Sequence, residues 1–110
     1  MPAYLIIEAR ISDPQGFAAY ARATPAVVAH YGGRYLVMGG AQDSLEGEHA
    51  PARTVISCWP DRAAALAFWH SPEYAAIKPL RAGTGMFRVL LADGVQAQPL
   101  PESATGDSTP

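Results

Sequence analysis

AHYGGRYLVMGG, residues 29–40, places four glycines around a short apolar run. Glycine pairs of this kind stand either in a loop that cradles a phosphate or as punctuation between a helix and a strand. A dinucleotide-binding fingerprint runs in the order strand, glycine loop, helix. Here Phe17, Tyr20, Ala21, Thr24, Val28 and Tyr31 precede the glycines at steps of three and four, which marks one face of a helix. RYLVMGG (34–40) follows as a strand. The order is therefore helix, glycines, strand, and the phosphate reading fails on context. Gly32-Gly33 ends the helix by admitting a left-handed conformation. Gly39-Gly40 ends or bulges the strand, or lets another backbone come close.

Upstream, AYLIIEARI (3–11) is rich in strand formers and stops at Asp13-Pro14. Asp13 is placed to cap the helix, with Pro14 at its first position, where a missing N–H costs nothing. Pro25 is expected to kink this helix or divide it near Thr24. Downstream, residues 41–52 are polar and contain Gly47 and Pro51, so they form a loop. ARTVISCW (52–59) is a third strand, stopped by Pro60. Asp61 caps DRAAALAFWH, whose alanines and Leu66 favour helix. Ser71-Pro72-Glu73 opens a further helix, which Pro79 interrupts and Gly83 ends. MFRVLLAD (86–93) is the fourth strand. The order β-α-β-β-α-β is the ferredoxin-like arrangement, an α+β fold with a four-stranded antiparallel sheet and its helices on one face. The folded domain is expected over residues 1–94. Residues 95–110 lack periodicity, are rich in proline and small polar residues, and read as a mobile tail.

A sheet with one wet face should alternate apolar and polar residues. These strands do not: Tyr4-Leu5-Ile6-Ile7, Tyr35-Leu36-Val37-Met38 and Val89-Leu90-Leu91 are continuous apolar runs. Both helical crossovers cover the same face, so the other needs a different cover. The same face of a second copy is the simplest one, giving a two-fold homodimer.

Composition narrows the partners. The 110 residues carry a net charge of -2 with no basic run, which argues against nucleic acid. A lone cysteine, Cys58, rules out an internal disulfide and fits a reducing, cytoplasmic setting. The start, MPAYLIIEARIS, is apolar too briefly for a signal peptide or a membrane span. Arginine outnumbers lysine seven to one and asparagine is absent, as in GC-rich bacterial genomes.

YGGRYLVMGG, the loop Leu45-Glu46-Gly47 and RTVISCWPDRAAALAFWHSPEYAAIKPLR together resemble the domain of unknown function number 1330 family, over about residues 3–93. The most specific parts are Tyr31-Gly32-Gly33-Arg34 and Ser71-Pro72-Glu73-Tyr74, with Arg81 following. The resemblance implies the dimeric α+β barrel superfamily, whose members include cofactor-free monooxygenases, haem-degrading enzymes, lactone isomerases and plain binding proteins. It implies no agreed activity. Where this family often has arginine before the second glycine pair, the chain has Met38. Where it often has glutamate two residues before the proline, the chain has Cys58. On a 36–40/56–60 hairpin these two positions are expected to lie opposite each other, an apolar pair in place of an ion pair.

Several residues carry candidate chemistry. His70 is either a proton shuttle in the cleft between helices and sheet or a histidine bonding the end of its helix. Arg34 and Arg81 stand beside the two motifs and suit a carboxylate or enolate, because a guanidinium fork matches planar oxyanions. Their plainer roles are contact with solvent and pairing with Glu73. Arg53 and Glu8 are weaker candidates; a buried Glu8 would need Arg10 or Arg53 as partner. Tyr20, Tyr31, Trp59, Trp69 and Tyr74, with Phe68, supply either the wall of an apolar pocket or the core itself. The histidines lack metal-ligand spacing and no cofactor motif is visible, so neither metal nor cofactor is expected.

Three functions fit these residues. One is a small cofactor-free enzyme, of oxygenase, isomerase or lyase type, acting on an apolar or aromatic molecule with a carbonyl, enol or carboxylate group. The second is a protein that binds such a molecule without changing it. The third is a structural or stress-associated dimer whose cleft is filled by its own side chains.

Overall fold

The computed structural model describes residues 1–95. The expected tail lies outside the described residues save for Val95. Strands β1 (Ala3–Ile11), β2 (Arg34–Met38), β3 (Arg53–Trp59) and β4 (Gly85–Asp93) form one sheet in the order β2-β3-β1-β4. All neighbouring strands are antiparallel. Helix α1 (Pro14–His30) links β1 to β2. Helices α2 (Arg62–Trp69) and α3 (Pro72–Ile77), then a 3-10 turn at Lys78–Arg81, link β3 to β4. This is the ferredoxin-like split β-α-β order.

The helix starts follow the capping residues. Asp13 accepts from the Gly16 N–H at 3.0 Å, Asp61 from Ala64 at 2.8 Å and Ser71 from Tyr74 at 3.0 Å, each satisfying a donor that a helix start leaves unpaired. Gly32, at φ +91, ends α1. The Gly33 N–H then donates to the Val28 carbonyl at 2.9 Å. At Gly33 the need for glycine is a close approach: a Cβ there would lie 2.7 Å from two atoms of the Trp59 indole.

The division of the first helix near Thr24 does not occur. Helix α1 runs through Pro25 as one element. The bond proline forfeits belongs to the Ala21 carbonyl; Ala21 and Pro25 are both exposed, so water reaches the freed group. On α2 the buried residues are Ala65 and Phe68, while Ala63 and Leu66 face out. The alanine-rich segment gives no strong apolar stripe, so packing of Phe68 on Trp59, at 4.9 Å between ring centroids, sets its rotation.

Strand register sorts the apolar runs onto two faces. Leu5, Ile7 and Ala9 of β1 face the helices, beside Ser57 and Val55 of β3 and Leu91, Val89 and Phe87 of β4. The buried core joins Leu5, Val28, Trp59, Ala65, Phe68 and Tyr74. The opposite face carries Tyr4, Ile6, Ile56, Cys58 and Leu90, and Leu90 is 64% exposed. Arg34 pairs with Cys58 at the start of β2, four positions from the register a Met38–Cys58 pair needs, and a bulge between Tyr35 and Val37 then sets Met38 opposite Val55. The expected Met38–Cys58 pair therefore does not form. Met38 points to the helix side and lines the cleft there, and Cys58 lies on the open face. Glu8 is exposed, so the condition that called for Arg10 or Arg53 is not met; it pairs with Arg88 at 3.4 Å, its neighbour across β1 and β4.

Candidate functional site

Between the helices and the sheet lies an apolar cleft of about 150 Å³. Its floor is built in rows by the strand register. Met38, Val55, Ile7 and Val89 form one row, and Tyr35, Ser57 and Leu5 a deeper one. The roof is the inner side of α1, chiefly Phe17, Tyr20, Thr24 and Val28. Phe68, Trp69 and Tyr74 close the inner end. Exposed Ala21, Pro25, Met38 and Arg53 edge the opening.

The polar groups in this cleft are hydroxyls and guanidiniums, each with hydrogens to donate. The Tyr20 and Tyr74 hydroxyls bond each other at 2.8 Å, which uses one of their two O–H groups and leaves one to offer. The Arg81 guanidinium lies 4.5 Å over the Phe87 ring and 5.5 Å over Tyr20. Its cationic side is thus seated on aromatic faces, which hold it over the cleft. Tyr35 adds a third phenol. Burial, with a smaller contribution from nearby Tyr20, pushes its pKa up to about 12. Burial likewise pushes Tyr74 up, aided by Tyr20 and opposed by Arg81. Both phenols are therefore neutral donors at any physiological pH. Ser57 is already engaged, accepting from the Trp59 indole N–H at 2.9 Å. Among the described residues, no carboxylate, imidazole or thiol lines the cleft.

The sequence model of the domain of unknown function (DUF1330) family matches residues 2–95. The chain belongs to that family. This DUF1330 domain has the fold of several solved proteins. A protein of unknown function from Rhodopseudomonas palustris superposes with a TM-score of 0.69 at 20% identity, covering 87% of this chain and 84% of its own. Its methylated form gives 0.68 at 19% identity, covering 86% and 82%. An uncharacterized NIPSNAP domain protein from Burkholderia xenovorans gives 0.51 at 14% identity, covering 90% and 99%. No curated protein matches the chain. At these identities the likeness extends to the fold alone.

Within the DUF1330 domain, Arg81, Tyr20, Trp69 and Tyr74 come together at the cleft. Arg53 and Phe68 line it as well, and the other residues singled out in the sequence lie elsewhere. His70 is exposed, and its backbone N–H closes α2 on the Leu66 carbonyl at 2.9 Å. Arg34 is exposed at the start of β2, opposite Cys58 on the open face. Trp59 is 1% exposed and stacks on Phe68 in the core. Tyr31 donates to the Glu73 carboxylate at 2.7 Å outside the cleft. That bond raises the Tyr31 pKa and lowers that of Glu73. Glu73 is thereby committed to Tyr31, and Arg81 has no ion-pair partner among the described residues. Reading the sequence missed Tyr35, Phe17 and Phe87 as cleft residues. Phe17 was legible on the helical face; Tyr35 and Phe87 became cleft residues only through strand register.

Proposed function

We propose that this DUF1330 domain binds a small apolar or aromatic anion, a carboxylate or enolate, in the cleft between helices and sheet. Arg81 steadies the anion, the Tyr20–Tyr74 hydroxyl pair offers a neutral donor beside it, and Trp69 and Phe87 flank the apolar body. The observation that carries this is the donor set: a guanidinium without an acidic partner among the described residues and three phenols on a largely apolar wall. Such a cleft gives a ligand's acceptor group one charged donor and a neutral one beside it. The volume suits one six-membered ring, since a cavity of about 150 Å³ is the size that takes up benzene.

Catalysis is the second reading, favoured by the same hydroxyl pair and guanidinium, which would stabilise an enolate as charge develops. With no carboxylate or imidazole among the described wall residues to act as general base, turnover is confined to substrates whose proton leaves to water or to the substrate itself. A homodimer through the open sheet face belongs to both readings, supported by the apolar side chains exposed there.

Calorimetric titration with benzoate and with benzyl alcohol, matched in ring and different in charge, tests the binding reading. Benzoate should bind roughly tenfold or more tightly, as expected for charge-assisted hydrogen bonds of about 1.5–3 kcal/mol. Arg81→Gln should remove the preference. Equal affinity for the two ligands, or no benzoate binding, refutes the proposal.

A further inference from the structure

A second arginine faces the same cleft from the other side. Arg53 opens β3 on the helix-facing side of the sheet, in one row with Ala9 of β1 and Phe87 of β4. Its guanidinium rests on Gly39, just past β2: a Cβ at that glycine would lie 2.5 Å from the Arg53 Nε and Nη2 atoms. Gly39 has φ +69, and its N–H is tied to the Thr54 carbonyl at 2.8 Å. The second glycine pair therefore makes room for the Arg53 side chain. Arg81 stands at the opposite side, over Phe87. Among the described residues neither arginine has an ion-pair partner. Ala9, the small side chain between them, leaves the floor low across the row.

We propose that the ligand is a dianion: a flat, apolar molecule with a carboxylate at each end, one held by Arg81 on the β4 side and the other by Arg53 on the β2 side. This rests on the binding function proposed above and names its ligand class. From β2 to β4 is three strand spacings, about 14 Å. A ring with carboxylates on opposite carbons spans about 6 Å between them, and a guanidinium–carboxylate pair adds about 4 Å at each end, again about 14 Å in all. Carboxylates on adjacent ring carbons point the same way and reach only one arginine.

Terephthalate, phthalate and benzoate serve as probes, titrated calorimetrically into the full chain, its Arg53→Gln variant and its Gly39→Ala variant. Terephthalate should bind the unaltered protein at least fivefold more tightly than benzoate, and phthalate should gain less. In Arg53→Gln the terephthalate-to-benzoate ratio should fall to near one. Gly39→Ala, which displaces the guanidinium without removing it, should lower the ratio in the same sense. If benzoate binds in an Arg81-dependent way but terephthalate gains nothing, or keeps its gain in Arg53→Gln, the dianion proposal fails and the anion site stands. If none of the three ligands binds, both fail together.

Discussion

Gly33→Ala should damage the core from a position at the domain surface. A methyl group there meets the six-membered ring of Trp59, at 2.7 Å from Cη2 and Cζ2 and 2.9 Å from Cε2. Carbon atoms in favourable contact stand about 3.5–4.0 Å apart, so one side must yield by about 1 Å. Trp59 has little freedom to do so. It is 1% exposed, stacked on Phe68 and bonded through its indole N–H to Ser57. Overpacking of a filled core costs about 1–3 kcal/mol, and a ring held on three sides belongs in the upper half of that range, about 2–3 kcal/mol. For a domain of this size that corresponds to a fall in Tm of roughly 10–20 °C. Urea unfolding with and without Trp59→Phe separates the clash from a general glycine effect. The phenylalanine ring lacks the crowded atoms, so in that background Gly33→Ala should cost at least about 1 kcal/mol less. Gly32→Ala is the comparison: at φ +91, with Pro60 no nearer than 3.6 Å, its cost is conformational and should be the same in both backgrounds. A Gly33→Ala cost that Trp59→Phe leaves unchanged would refute the packing argument.

Two further outcomes are expected. Tyr35 has its pKa raised from 10.0 to about 12, and Tyr74 is raised as well, so above pH 10 the unfolded chain ionises first and binds fewer protons than the native one. Stability should therefore fall between pH 10 and about 12, and Tyr35→Phe should flatten that decline; a urea midpoint that holds or rises over this window contradicts the burial of these phenols. Leu90→Asp on the open sheet face should convert a dimer to monomer in light scattering, because a carboxylate at the centre of an apolar interface is desolvated without a partner. Leu66→Asp on the outer side of α2 should leave the mass unchanged, and a wild-type protein that is itself monomeric at micromolar concentration removes the dimer proposal.

The arginines and tyrosines of the cleft differ in how far the sequence exposed them. Arg81, Tyr20 and Tyr74 were visible because they lie beside capping and helical patterns that local spacing reveals. His70 was a weaker candidate than the arginines, and its position at the end of α2 turns it to solvent. Arg53 looked weak because nothing in the chain near it suggests a site. Its significance comes from Gly39, fourteen positions away in the chain, and from Arg81 across the sheet.

Local chemistry alone determined the elements of this protein. Asp13, Asp61 and Ser71 start helices because their side chains accept from the N–H groups a helix start leaves free, and Gly32 stops one because it tolerates a positive φ. Those are contacts within a few residues, so they are written in the chain. Which residues meet in the cleft was decided only in three dimensions. The bulge between Tyr35 and Val37 set Met38 opposite Val55 on the cleft side, and α2 turned Phe68 rather than Leu66 inward to meet Trp59. A one-residue change of register carries a strand side chain to the other face, and no local preference in an unbroken apolar run selects between the two faces.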